Sequence, residues 1–277
     1  MKNVLFILCL LPAQAGLFAQ HRLEKLWETD SVFKVPESVL YDAKRQVLYV
    51  TNIDGKDPWG ADGAGSVGMM KPDGTVIAEE WVSGMDAPKG MALYNDWLYV
   101  ADLGRLHVIN TATGITDITI RIPGAEGLND VTADKNGVVY VTDSRGKKVF
   151  RVEKGKAEVC LDQLKGPNGI LASDDGLYLL DAGALYRVGE DKVLHKLAEG
   201  MSGGTDGVEK INGKDFIVSC WAGAIWYVQA DGTKELLLDG AKDKVNTADI
   251  GFDAASNIVY VPTFWKNTVI AFRVKER

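Results

Sequence analysis

Six regularly spaced positions include most of the side chains in this sequence that could bind a metal ion together. Each stands second in a short signature that precedes an apolar run, and the six are Glu37, Lys89, Asn129, Asn168, Asp206 and Ala248. Four of them carry oxygen atoms that can coordinate a cation, and the set contains neither Cys nor His. Two carboxylates with amide oxygens suit a hard ion such as Ca²⁺, Mg²⁺ or Mn²⁺. If these side chains converge, the expected chemistry is polarisation of a substrate carbonyl by one divalent ion.

The spacing of these positions indicates six sequence repeats. Successive steps are 52, 40, 39, 38 and 42 residues, and an apparent 12-residue insertion at 54–65 accounts for the longer first step. Each repeat contains an apolar second strand, and these are Leu48-Tyr49-Val50, Leu98-Tyr99-Val100, Val139-Tyr140-Val141, Leu177-Tyr178-Leu179, Phe216-Ile217-Val218 and Val259-Tyr260-Val261. Four short strands in about 40 residues is the period of a propeller blade. The sequence therefore predicts an all-β, six-bladed β-propeller with four-stranded blades.

The last repeat contains only three predicted strands before the chain ends at Arg277. An additional strand is available at the other terminus, from Leu23 to Thr29. We expect this N-terminal strand to pair with the last blade and close the ring, because closure removes the exposed edges of an open array.

The direction of the chain predicts that all six signatures lie at one mouth of the central channel, because the first strand of each blade lines that channel. The loops between second and third strands lie on the same face, and they carry Trp59, Arg145 and Trp221. We expect these residues to form the wall of a substrate site, with the insertion at 54–65 as a lid. The alternatives are a simple surface elaboration for the insertion and a water-filled polar channel for the metal site.

The first residues of the chain are typical of a cleavable secretory signal peptide. Lys2 is followed by an apolar run, and small residues then offer cleavage after Ala19 or, alternatively, after Ala15. This predicts a signal peptide at 1–19, a single propeller domain at 20–277, and a periplasmic or secreted protein without a membrane anchor. The two cysteines of the mature chain, Cys160 and Cys220, are expected to be unbridged, because they occupy different strand positions in different repeats.

The net charge of −7 disfavours nucleic acid and anionic membranes as partners, since both bind basic surfaces. The three histidines lie outside the channel set, which disfavours a Ser-His-Asp hydrolase. We expect a monomer whose partner is a small-molecule substrate.

Four of the signatures resemble those of the regucalcin/gluconolactonase family of six-bladed propellers. They stand in the same order, each in its own repeat: Val35-Pro36-Glu37-Ser38-Val39, Gly127-Leu128-Asn129-Asp130, Pro167-Asn168-Gly169-Ile170 and Thr205-Asp206-Gly207-Val208. The resemblance implies that Glu37, Asn168 and Asp206 are metal ligands. It also implies that Asn129 holds the substrate and that Asp206 transfers a proton.

The sequence departs from the family at three places, one of which is the aromatic residue expected soon after Glu37, where Leu40-Tyr41 stands instead. Gly127 stands where family lactonases often carry Arg, and Lys89 brings a cation toward the metal position. We expect Lys89 or Arg145 to bind a substrate carboxylate or to stabilise developing negative charge.

Together these features predict an exported, metal-dependent hydrolase of lactones or related esters. The expected ion is Ca²⁺, with Mg²⁺, Mn²⁺ and Zn²⁺ as alternatives, and Asp206 is the expected catalytic residue. The rival hypothesis is a non-catalytic exported propeller that binds a small ligand or a protein on the same face. In that case Trp59, Trp221 and Trp265 would be its anchors.

Overall fold

The computed structural model describes residues 21–276, which form short antiparallel strands, turns and two short 3-10 helices. The predicted signal peptide at 1–19 lies outside the described residues. Within residues 21–276, no helix is long and apolar enough to cross a membrane.

The strands form six separate four-stranded antiparallel sheets, which confirms the predicted propeller. Strand β1 (His21–Glu28) comes first in the chain. Blade 1 consists of β2 (Pro36–Asp42), β3 (Val47–Asn52), β4 (Gly65–Met70) and β5 (Val76–Met85). Blade 2 consists of β6 (Pro88–Tyr94), β7 (Trp97–Asp102), β8 (Arg105–Asn110) and β9 (Ile115–Arg121). Blade 3 consists of β10 (Leu128–Ala133), β11 (Val139–Asp143), β12 (Lys148–Glu153) and β13 (Lys156–Leu161).

The remaining blades complete the ring. Blade 4 consists of β14 (Pro167–Ser173), β15 (Gly176–Asp181), β16 (Ala184–Val188) and β17 (Leu194–Ala198). Blade 5 consists of β18 (Thr205–Ile211), β19 (Asp215–Cys220), β20 (Ala224–Val228) and β21 (Lys234–Asp239). Blade 6 consists of β22 (Gly251–Asp253), β23 (Ile258–Pro262), β24 (Val269–Glu276) and β1. The 3-10 helices are Gly240–Asp243 and Phe264–Lys266.

The N-terminal strand closes the ring as predicted. Strand β1 pairs antiparallel with β24, from His21 opposite Glu276 to Glu28 opposite Ile270. His21 and Arg22 also belong to this strand, together with the predicted Leu23, and His21 contacts blade 5. Its ring stacks on Tyr227 at a centroid distance of 3.7 Å, and its Nδ1 lies 3.2 Å from Glu235 Oε1.

The first strand of blade 6 differs from those of the other five blades. The signature at 247–250 precedes β22 instead of starting it, and Asp249 forms a parallel bridge with Ser38 of blade 1. Two backbone hydrogen bonds hold this seam: the Asp249 N–H donates to Glu37 O at 2.9 Å, and the Val39 N–H donates to Asp249 O at 3.2 Å. The strand therefore starts at Gly251, where a Cβ atom would collide with the carbonyl oxygen of Val39.

The core lies between neighbouring blades. Between blades 2 and 3, for example, Leu106, Val141 and Phe150 are fully buried in one apolar cluster. Burying each such side chain stabilises the fold by about 1.5–3 kcal/mol. Cys160 and Cys220 are free thiols, as predicted.

Candidate functional site

A cavity of about 250 Å³ lies at the mouth of the channel where the first strands begin. Five of the six positions of the signature set line it: Glu37, Lys89, Asn129, Asn168 and Asp206. The rest of its wall consists of Pro58 and Trp59 of the insertion loop, Gly204, Trp221 and Phe264. The sixth position, Ala248, is buried in a small apolar cluster with Phe264 and Ile53. The cavity is therefore lined by polar side chains from the signatures of blades 1–5 and by aromatic side chains from loops of blades 1, 5 and 6.

The pairing between the first and second strands is interrupted at each of the five signatures that carry these side chains. The pairing of β2, β6, β10, β14 and β18 with their neighbours shifts register within the signature, for example between Pro88 and Met91 and between Pro167 and Ile170. Such irregularities bend a strand locally and change the direction of a side chain. The second residue of each signature thereby reaches the cavity.

Three aspartates that sequence reasoning missed fix the loops that lead into these strands. Asp102, Asp143 and Asp181 each end a second strand and accept hydrogen bonds from backbone N–H groups just before the signature of the same blade. Asp143, for example, accepts from Glu126 and Gly127 at 2.9 Å each. The available signal was an Asp at the end of the second strand in three consecutive repeats. These carboxylates position Lys89, Asn129 and Asn168 respectively.

Glu37 and Lys89 form a buried, loosely paired couple on one side of the cavity. Lys89 Nζ lies 4.0 Å from Glu37 Oε1, and the two residues are only 2% and 4% exposed, respectively. Glu37 Oε2 is buried without a hydrogen-bond partner. Burial raises the pKa of Glu37 to about 7, against the opposing charge of Lys89. Burial likewise lowers the pKa of Lys89, and the charges of Glu37 and Asp206 oppose that effect.

Asn168 and Asp206 form the second polar pair. Asn168 Nδ2 donates to Asp206 Oδ1 at 3.0 Å, and this orientation leaves Asn168 Oδ1 buried without a partner. Burial raises the pKa of Asp206 well above its ordinary range, and the charge of Glu37 raises it further. A cation between these residues would favour the ionised form of both carboxylates, Glu37 and Asp206, and would therefore lower the pKa values that burial raises.

Asn129 is held at the mouth by a short relay. Its Nδ2 donates to Ser144 Oγ at 3.0 Å, and Ser144 in turn donates to Pro167 O at 2.5 Å. Ser144 follows Asp143 at the end of β11, and sequence reasoning did not identify it. The relay fixes the Asn129 side chain beside the cavity.

Trp59 contacts both of the cations that the sequence singled out. Lys89 Nζ lies 4.4 Å from the centre of its ring, and Arg145 Cζ lies 5.8 Å from it. Arg145 contacts Trp59 and is not itself part of the cavity wall. A Cβ atom at Gly127 would stand 2.6 Å from Arg145 Cδ and 2.9 Å from Trp59 Cζ3. A side chain at this position would displace Arg145 and Trp59, which already occupy its space.

The donor set fits a hard divalent ion. Glu37, Asn168 and Asp206 supply oxygen only, and two of their oxygen atoms are buried without partners. Two carboxylates and an amide match the ligand preference of Ca²⁺ and Mg²⁺. Across residues 21–276, this site included, no group of three or more His, Cys, Asp or Glu residues could hold a metal ion, so the candidate set depends on Asn168 as its third donor.

A second cavity of about 270 Å³ lies farther along the channel, toward the opposite face. Asp130, Glu209 and Asp249 line it, and sequence reasoning did not single them out. Asp249 accepts a 2.5 Å hydrogen bond from Ser38 Oγ, and Asp130 accepts from the Ile170 N–H at 2.7 Å. Burial raises the pKa of Asp249 to about 8, and it raises that of Glu209 to about 8 although this side chain keeps some contact with solvent.

Solved structures with low sequence identity share this fold. A gluconolactonase from Xanthomonas campestris has a TM-score of 0.71 and 17% identity, over 93% of this chain and 91% of that one. A streptogramin B lyase has a TM-score of 0.68 and 12% identity, over 92% of this chain and 98% of that one. A catalytically inactive virginiamycin B lyase from Staphylococcus aureus, in complex with quinupristin, has a TM-score of 0.65 and 13% identity, over 91% and 99%.

These likenesses confirm the predicted resemblance to gluconolactonase propellers at the level of the fold. No family model matches the sequence, and no curated protein matches it. Because a gluconolactonase and two lyases share the architecture, the fold does not decide the reaction. The chemistry of the cavity must do so.

Proposed function

We propose that this chain is a metal-dependent hydrolase of lactones or related esters. The observation that carries the proposal is the pair of buried, unpartnered oxygen atoms, Glu37 Oε2 and Asn168 Oδ1, in the cavity that Asp206 also lines. An unsatisfied buried polar atom costs about 1–3 kcal/mol, and more if it is charged. A bound cation removes that cost, and the oxygen-only donor set is the kind that binds hard ions.

Glu37, Asn168 and Asp206 would hold one divalent ion, with Ca²⁺ expected and Mg²⁺, Mn²⁺ or Zn²⁺ as alternatives. Such an ion, when bound, polarises a carbonyl as a Lewis acid and lowers the pKa of water.

Asp206 is the candidate for proton transfer. Its Oδ1 is fixed by Asn168 Nδ2, so the carboxyl group has a defined orientation in the cavity. A carboxylate in this position can take the proton of the attacking water and return it to the leaving alkoxide. The proton that Asp206 takes from the water in the first step is given to the alkoxide in the second step. The Asp206 carboxylate is therefore regenerated at the end of the reaction.

Asn129 and Lys89 complete the proposed site. Asn129, held by Ser144, orients oxygen atoms of the substrate. The Lys89 ammonium is nearly inaccessible to solvent, so its charge is weakly screened and can stabilise negative charge that develops on the substrate.

Turnover by Asp206→Asn tests the proposal. At metal concentrations high enough to refill the site, this variant should hydrolyse lactones and esters about 10²–10⁴-fold more slowly than wild type. The control is Glu199→Gln, which removes an exposed carboxylate that pairs with Lys196 and does not line the cavity. A refilled Asp206→Asn protein that works at the wild-type rate would show that Asp206 is a ligand at most.

The rival function makes a different prediction for the same assay. A wild-type protein that binds metal but hydrolyses no member of a lactone and ester panel would be a non-catalytic binder. The exposed tryptophans Trp221 and Trp265 would then be anchors for its ligand.

The proposed location is the periplasm or the exterior of the cell, and it rests on the sequence of residues 1–19 alone. N-terminal sequencing of the exported protein should find Gln20 or, for the alternative cleavage site, Gly16 as the first residue. An intact Met1 in the mature protein would contradict export by a cleaved signal peptide.

A further inference from the structure

Three aromatic side chains form a continuous row from the cavity to the surface, and we call Trp221, Phe264 and Trp265 the aromatic row. The ring centroids of Trp221 and Phe264 are 5.5 Å apart, and those of Phe264 and Trp265 are 4.8 Å apart. Both contacts are edge-to-face, at interplanar angles of 80° and 86°. Trp221 and Phe264 also line the cavity. The row therefore continues the substrate site toward solvent on the side of blades 5 and 6.

The two tryptophans of the row are unusually exposed for side chains of their size. Trp221 is 40% exposed and Trp265 48%, whereas Phe264 between them is buried. The other large exposed hydrophobic residues of the described part of the chain, such as Ile77 and Ile115, lie on or next to the outermost strands of the blades. At the mouth of the channel, exposed apolar surface is thus concentrated on the row.

The turn that carries Phe264 and Trp265 is rigidly anchored. Lys266 Nζ pairs with Glu28 Oε1 at 2.8 Å, and Asn267 Oδ1 accepts a hydrogen bond from the Val35 N–H at 2.9 Å. Trp221 is also held in place, because its backbone N–H donates a hydrogen bond to Gly204 O at 2.7 Å. A surface that is ordered before binding loses little conformational entropy when a ligand covers it.

Polar side chains close to the row are engaged in hydrogen bonds with the backbone of the protein. Asn246 Nδ2 donates to Trp221 O at 2.8 Å, and Thr247 Oγ1 donates to Cys220 O at 2.8 Å. Thr263 Oγ1 similarly donates to Thr268 O at 2.8 Å. Ala248 and Ile53 supply apolar contacts beneath Phe264. These surroundings favour an apolar group over a ring that carries several hydroxyl groups, because hydroxyls need hydrogen-bond partners when they lose water.

We infer that the substrate carries an apolar alkyl or aryl substituent, which packs on the aromatic row while the reacting carbonyl lies among Glu37, Asn168 and Asp206. This inference rests on the proposed function and narrows its substrate class. The preferred substrates are alkyl- or aryl-substituted lactones and esters, and polyhydroxylated sugar lactones are disfavoured.

Three δ-lactones with the same ring test the inference: δ-valerolactone without a substituent, δ-decalactone with an alkyl tail, and D-glucono-δ-lactone with hydroxyl groups. Wild type should have its highest kcat/KM for δ-decalactone. Trp221→Ala and Trp265→Ala should each lower that value about tenfold, mainly through KM, and should affect δ-valerolactone much less. Trp265→Phe should retain most of the wild-type kcat/KM for δ-decalactone. Ile115→Ala, on the outer strand β9, should change kcat/KM for neither δ-decalactone nor δ-valerolactone.

Binding of a non-hydrolysable ligand separates this inference from the proposed function. The probe is 2-pentyltetrahydropyran, with tetrahydropyran as its unsubstituted control, followed by tryptophan fluorescence and ligand-observed NMR. Binding of the substituted ether that is lost in Trp221→Ala and Trp265→Ala would support the aromatic subsite even if no lactone is hydrolysed. Hydrolysis that is fastest for D-glucono-δ-lactone, or kcat/KM values for δ-decalactone that both tryptophan variants leave unchanged, would overturn the inference while the proposed function stands.

Discussion

The Asp102→Asn substitution should destabilise the propeller by an amount that depends on pH. Asp102 ends β7 and is fully buried. Its carboxylate accepts hydrogen bonds from the backbone N–H of Ala87 at 2.8 Å, from His107 Nε2 at 3.0 Å and from Arg105 Nη2 at 2.9 Å. Asparagine has the same shape but no charge, and its NH₂ group would face some of these donors.

The magnitude follows from the pKa of the carboxyl group. Burial alone would raise the pKa of Asp102, but hydrogen bonds from His107, from backbone N–H groups and from Arg105 outweigh it and hold the pKa at about 2. The ordinary value is 3.8. At about 1.4 kcal/mol per pKa unit, the ionised form contributes about 2 kcal/mol to the free energy of unfolding. Because the folded-state pKa is depressed, this contribution is present above pH 3.8 and is lost as the pH falls toward 2.

Urea unfolding at pH 7 and at pH 3 or below measures the effect. Asp102→Asn should lose about 2 kcal/mol at pH 7 with an unchanged m-value, and the gap from wild type should narrow at the lower pH. Asp117→Asn, an exposed carboxylate on β9 of the same blade, is the control and should change little. Equal destabilisation at both pH values would refute the linkage to ionisation, and no loss at pH 7 would refute the anchoring role.

Three further perturbations follow from the structure. Deleting 21–28 removes the partner of β24, so calorimetry should show a strongly lowered Tm, and wild-type melting would contradict closure by β1. The raised pKa of Glu209, about 8, means that its contribution to stability is present below pH 4.5 and is lost as the pH rises through 8. Glu209→Gln should therefore raise the Tm at pH 8.5 but not at pH 4, and an equal change at both would disprove the burial effect. Gly127→Ala should displace Arg145 and Trp59 and raise KM with little change in Tm. An unaltered KM would show that Trp59 does not contact the substrate.

The architecture could be predicted from the sequence because it is encoded locally and repeated. A second strand of the Leu-Tyr-Val kind recurs at about 40 residues, and each copy lies in the second strand of a blade. The three-strand last repeat left only one place for the missing strand, at the N-terminus. The same regularity placed Glu37, Asn168 and Asp206 at one mouth, where the structure finds them lining one cavity.

The details that escaped prediction depend on contacts between distant residues. The role of Asp143 in holding the loop before Asn129 is visible only when the ends of two strands meet in space. Gly127 looked like the loss of a family arginine, whereas the structure shows Arg145 and Trp59 filling its place. Strand β22 begins after its signature because Asp249 pairs with Ser38 of blade 1, and the repeat pattern of the sequence does not predict this contact between blades.

Divalent-ion binding measured on purified protein, by calorimetric titration together with elemental analysis, tests the central claim most directly. Wild type should bind one ion per chain at the cavity and gain about 2.7 kcal/mol of stability at an ion concentration 100 times the Kd. Glu37→Gln and Asp206→Asn should each bind far more weakly, while Glu199→Gln should match wild type. A wild-type protein that binds no divalent ion, or variants that both retain its affinity, would contradict a metal centre formed by Glu37, Asn168 and Asp206.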